Sequence, residues 1–69
     1  LKMNIGKELE ILIESKSYDN KWYIGRSYMD VPDIDGVVYI KNSKNVEEGT
    51  FAKCRIVGVK DYDLIAEFE

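Results

Sequence analysis

The 69-residue chain predicts an all-β fold, a small barrel of five antiparallel strands. Three observations carry that expectation: short runs of period-two alternation, turn signals about every 8–12 residues, and no long stretch of helical periodicity. Hydrophobic residues make up 45% of the sequence, eight of them aromatic (one Trp, five Tyr, two Phe). That is enough for the core of one small domain.

The first strand is Lys7 to Glu14, KELEILIE, which sets Leu9, Ile11 and Ile13 against Glu8, Glu10 and Glu14. Such alternation marks a strand with one wet face, here acidic. Ser15 to Lys21 is polar, and Asp19-Asn20 is a turn pair, so a hairpin loop is expected. Trp22 to Tyr28 forms an aromatic second strand in which Gly25 marks a bend or bulge. Met29 to Gly36 bridges to the next strand. Pro32 removes a ladder donor and biases Val31 towards extended geometry, while Asp35-Gly36 is a turn pair.

Val37 to Ile40, VVYI, is the third strand. Lys41 to Gly49 is a polar connection with room for a short helical turn that Gly49 would stop. Thr50 to Val59 alternates Phe51, Lys53 and Arg55 against Ala52, Cys54 and Ile56. The second set is expected to face the core, and Gly58 permits a bend. Lys60 to Asp63 turns the chain into a fifth strand, Leu64 to Phe68. An OB-like barrel fits this count and length best. An SH3-like barrel has similar strands, and counting alone does not separate the two.

Composition excludes several functions. Thirteen acidic against ten basic residues leave a net charge of −3, which argues against a module that works by neutralising phosphates. Cys54 stands alone and there is no histidine. An intramolecular disulfide, a cysteine-ligated zinc or iron–sulfur site and a histidine-based catalytic pair are therefore ruled out within this chain. A small secreted domain usually carries disulfides, so a reducing, cytoplasmic setting is expected. The longest apolar run is too short for a membrane span. The start at Leu1 suggests a piece cut from something longer, with residues 1–6 a linker remnant and 7–69 the domain.

Asp30, Asp33 and Asp35 lie close together ahead of Gly36, which invites a comparison with a calcium loop. Aligning Gly36 with the sixth loop position puts Val31 first and Asn42 twelfth, where Asp and Glu are required. The pattern fails at both ends, and a solvated polar turn is the expectation. Asp61 and Asp63 are spaced like an acid–base pair but have no nucleophile beside them, so they read as turn residues. Trp22, Tyr23, Tyr28 and Tyr39 are candidates for a base-stacking platform, with Arg26, Lys53 and Arg55 as phosphate partners. The alternative is that about half of those aromatics fill the core. Cys54 reads as a small core residue.

Two segments, GRSYMDVPDIDGVVYI (Gly25–Ile40) and DYDLIAEF (Asp61–Phe68), in this order and spacing, resemble the C-terminal TRAM domains of the RimO methylthiotransferases. GKELEILIE near the start and EGTFAKCRI (Glu48–Ile56) agree with that resemblance, which runs from about Gly6 to Glu69. Its most specific part is the string from Asp30 to Gly36. Met29 and Val31 depart from it, as smaller residues such as alanine are common there.

The resemblance implies an OB-like TRAM barrel at the end of a radical S-adenosylmethionine enzyme. That enzyme uses iron–sulfur clusters and S-adenosylmethionine to transfer a methylthio group to an aspartate of the twelfth small-subunit ribosomal protein. This chain carries no cofactor-binding cysteine motif and would be an accessory, non-catalytic module beside an upstream catalytic domain. The related tRNA-modifying enzymes also end in TRAM domains, but these lack the acidic string. Phosphate is repelled by an acidic loop, whereas a basic ribosomal protein is attracted to it. The partner-binding residues expected on this basis are Asp30, Asp33, Asp35, Asp61 and Asp63, with Arg26 and Tyr28 alongside. RNA binding is the alternative, and no membrane partner is expected.

Overall fold

In the computed structural model, which describes residues 5–27 and 37–69, five strands close into a barrel. They are β1 (Glu8–Lys16), β2 (Trp22–Ser27), β3 (Val38–Lys41), β4 (Phe51–Lys60) and β5 (Asp63–Phe68). Around the barrel the order is β1-β2-β3-β5-β4, with β4 returning to β1. That arrangement is OB-like. Every neighbouring pair is antiparallel except β3–β5, which is parallel. The expectation of an antiparallel barrel is corrected by a count: an odd number of strands cannot alternate in direction all the way round a closed ring. One pair has to be parallel, and it needs a crossover, here supplied by residues 42–50 and β4.

Period-two burial fixes the register. Leu9, Ile11 and Ile13 of β1, Tyr23 of β2, Val38 and Ile40 of β3, Cys54 and Ile56 of β4, and Leu64 and Ala66 of β5 make the core. Ala52, expected to join them, is only partly buried. Two bulges bend the sheet. Ile13 pairs with Gly25 but Ser15 pairs with Ile24, leaving Glu14 as the extra residue of β1. Ile56 pairs with Ala66 but Gly58 pairs with Ile65, leaving Val57 as the extra residue of β4. Bulges raise local twist, which a five-stranded ring needs in order to close. The second also reverses the in–out alternation, so Ile56 and then Val59 pack towards the core while Val57 points outwards.

The hairpin loop after β1 is held by its own side chains. Ser17 Oγ donates to Asp19 Oδ1 at 2.7 Å and accepts from the Trp22 N–H at 3.0 Å. Asp19 Oδ1 also accepts from the Lys21 N–H, and Asn20 takes a φ of 62°, a conformation Asn tolerates well. The Ser17 hydroxyl and the Lys21 N–H hold the Asp19 carboxyl below its ordinary range. The connection from β3 to β4 contains no helical turn. It is tied to the barrel where the Tyr23 hydroxyl accepts from the Val46 N–H at 2.9 Å and where Asn42 Nδ2 donates to the Asn20 carbonyl. Gly49, with a φ of 87°, makes its final turn instead of capping a helix.

Cys54 is fully buried, and that burial pushes its thiol up to about 11. Since the thiolate is the nucleophile, the folded chain at pH 8 is expected to resist a water-soluble disulfide reagent. Denaturant should release the full stoichiometric signal, and a thiol-release assay checks this.

Candidate partner-binding face

The barrel has two unlike outer surfaces. On the β1–β4 side, Glu8 lies opposite Arg55 and Glu10 opposite Lys53. Arg55 Nη2 sits 3.0 Å from Glu8 Oε2 and 3.1 Å from Glu69 Oε2, and Nη1 donates to the Gly6 carbonyl. Glu69 shares a hydrogen bond with Glu8, which raises Glu69 and lowers Glu8. Acid and base largely cancel here. Lys53 and Arg55, expected beside the aromatics as phosphate partners, therefore lie on another surface and face glutamates.

The other surface is built by β2, β3 and β5. The strand pairings put Ile24 beside Tyr39 and Tyr39 beside Ile65, with Trp22 one step along β2. All four are half-buried on the outside of the barrel. Tyr23 points the opposite way. It is fully buried, meets Phe68 edge-on at 5.5 Å between ring centroids, and lies under the Lys16 ammonium. Of the four proposed platform aromatics, Trp22 and Tyr39 are thus on the surface and Tyr23 is core, while Tyr28 lies outside the described residues.

Between Trp22 and Tyr39 and the β4–β5 turn is a half-open hollow of about 500 Å³. Its remaining lining is Lys60, Asp61, Asp63 and Ile65. Asp61 occupies the turn with a φ of 56° and is exposed. Asp63 is different: its Oδ1 accepts the Val37 N–H at 3.0 Å, and the Leu64 N–H donates to the Val37 carbonyl. The expected turn aspartate thus holds a residue 26 positions away, at the point where the bridge returns to β3. Arg26 is near the other root of the bridge, paired with Glu14 at 3.3 Å. Both ions of that pair are exposed, so the pair contributes little stability.

Asp61 and Asp63 are therefore gathered at the end of the barrel from which the bridge leaves and to which it returns. Asp30, Asp33 and Asp35 of the bridge lie outside the described residues. Among the described residues no group of three or more carboxylates or cysteines is arranged to hold a metal ion, and no helix is long and apolar enough to cross a membrane.

The family model described as TRAM domain matches residues 5–68. The chain belongs to the TRAM domain family. This TRAM domain is 52% identical, over 97% of its length, to the ribosomal protein uS12 methylthiotransferase RimO of Alkaliphilus oremlandii (strain OhILAs). It is 47% identical over 93% of its length to the same-named protein of Thermoanaerobacter sp. (strain X514). For that of Clostridium botulinum (strain Eklund 17B / Type B) the figures are 44% and 99%. The alignments cover 16%, 14% and 15% of those three proteins, so the chain spans about a sixth or less of these relatives.

Proposed function

We propose that this TRAM domain is the non-catalytic docking module of a uS12 methylthiotransferase, holding the basic ribosomal protein through an acidic end of the barrel. The observation that supports this most is the convergence of Asp61 and Asp63 on the root of a bridge carrying three more aspartates. Opposite potentials speed encounter and select partners even where each ion pair adds only about 0–1 kcal/mol. The parent enzyme supplies the chemistry, with iron–sulfur clusters and S-adenosylmethionine in a catalytic domain on the same polypeptide, in the cytoplasm. The domain keeps the ribosomal protein close enough for its target aspartate to reach that centre.

RNA binding through the same barrel is the second proposal, favoured by the outward Trp22 and Tyr39 and by Lys60, which has no ion-pair partner among the described residues. Parallel titrations of the chain with purified uS12 and with tRNA separate the two. Saturable binding of uS12, with tRNA at least about tenfold weaker at 100 mM salt, is expected for an acidic docking surface. Tighter binding of tRNA with a steep salt slope overturns it.

A further inference from the structure

The hollow between Trp22, Tyr39 and the β4–β5 turn joins two features on one surface of the barrel. It has aromatic side chains on its wall and, at its rim, a carboxylate with no partner among the described residues. Among the described residues, Asp61 enters no hydrogen bond or ion pair. Among the same residues, Asp63 uses Oδ1 alone, on the Val37 N–H. Among the described residues the lining carries two acids and one base, Lys60, a net charge of −1. The Glu8–Arg55–Glu69 cluster on the β1–β4 surface also has two acids and one base, but there both carboxylates are paired with the guanidinium.

We infer that this hollow is a specific seat for an arginine side chain of a basic protein partner. A guanidinium is planar and weakly hydrated, stacks on aromatic faces and forks two N–H donors onto a carboxylate. Trp22 or Tyr39 supplies the face and Asp61 the acceptor, with the second oxygen of Asp63 within the same lining. At about 500 Å³ the hollow is of the size that takes a whole side chain or small ligand. The bases of an RNA strand would meet the same aromatics, but its phosphates would face two carboxylates and the Lys60 ammonium. The inference rests on the docking role proposed above, to which it adds the side chain that is read.

Trp22 is the only tryptophan, so its fluorescence reports on the hollow directly. The probes are the capped tripeptide Gly-Arg-Gly, the same peptide with neutral citrulline in place of arginine, and hexauridylate. The arginine peptide is expected to change Trp22 emission saturably, with citrulline about tenfold weaker, the loss of one charge-assisted contact. D61N should weaken the arginine peptide severalfold. Asn accepts the positive φ at this position as readily as Asp, and circular dichroism checks that the barrel is intact. K60M, which removes the ammonium of Lys60 from the lining, should tighten it. Equal response to arginine and citrulline, no saturable response, or a preference for hexauridylate overturns the assignment.

Titration with whole uS12 keeps the two proposals apart. Binding of uS12 that leaves Trp22 emission unchanged and is indifferent to D61N overturns the hollow and leaves the docking role standing. Seating of the arginine peptide without any binding of uS12 supports the hollow and removes the docking role.

Discussion

Replacing Gly25 by alanine is expected to lower stability by about 2–3 kcal/mol, among the larger effects available to a single methyl group. Gly25 is buried in β2 opposite Ile13, beside the Glu14 bulge. A Cβ there would meet the carbonyl oxygen of Leu12 and come within 2.7 Å of Ile11 Cγ2. The side chain can shift only at the expense of the core, and the carbonyl belongs to the backbone of β1. For a domain of this size such a loss corresponds to a fall in Tm of roughly 10–20 °C. Gly58 provides the control. A Cβ there meets Ile65 Cβ at 3.6 Å, an ordinary contact, so alanine at Gly58 should be nearly neutral or slightly stabilising. Thermal denaturation of the two variants checks both outcomes.

Truncating Tyr23 to alanine should cost about 3–5 kcal/mol, the range for removing a buried aromatic. A domain of this length has a total stability of about 3–10 kcal/mol, so much of the population would be unfolded at 37 °C. Tyr23 joins several parts of the structure. Its ring fills the barrel, meets Phe68 of β5 and lies beneath Lys16 of β1, while its hydroxyl holds the β3–β4 connection at Val46. Phenylalanine at this position keeps the packing and leaves the Val46 N–H without its acceptor. That change should cost about 1–2 kcal/mol and raise hydrogen exchange in residues 42–50 more than in the strands. Urea unfolding with exchange measured by NMR separates the two contributions.

The strands were legible because each has one buried face, and a slip of one residue would turn that face to water. The alternation at Leu9, Ile11 and Ile13 and at Cys54 and Ile56 states the core almost directly. Strand pairing was harder to see. The parallel β3–β5 contact follows from closure with five strands, a property of the whole ring that no local pattern carries. The bulge at Val57 left a trace in Ile-Val-Gly-Val, where apolar residues stop alternating, and the one at Glu14 shows in the sequence only through Gly25 on the facing strand.

The candidate site was legible in its residue types and less so in its geometry. Asp61 was expected at a turn and is there. Local turn rules assign Asp63 to the same turn, yet its partner is Val37, 26 positions away, a distance those rules do not reach. Trp22, Tyr39 and Ile65 become neighbours only through the β2–β3 and β3–β5 registers. The same registers send Lys53 and Arg55 to the opposite surface, which removes two of the three cations first placed beside the aromatics. Asp30, Asp33, Asp35 and Tyr28 lie outside the described residues, and their part in docking rests on charge and on the family resemblance.

Calorimetric titration of uS12 into the wild-type chain and into D30N/D33N/D35N, at low and moderate salt, tests the docking role most directly. The three changes take the formal net charge from −3 to zero without altering side-chain size. Three surface ion pairs of about 0.5 kcal/mol each amount to roughly a tenfold change in affinity. The triple variant should bind uS12 about tenfold more weakly at low salt and lose most of the salt dependence shown by the wild type. Equal affinity and an equal salt slope for the two proteins would contradict the proposal that this end of the barrel holds a basic partner by its charge.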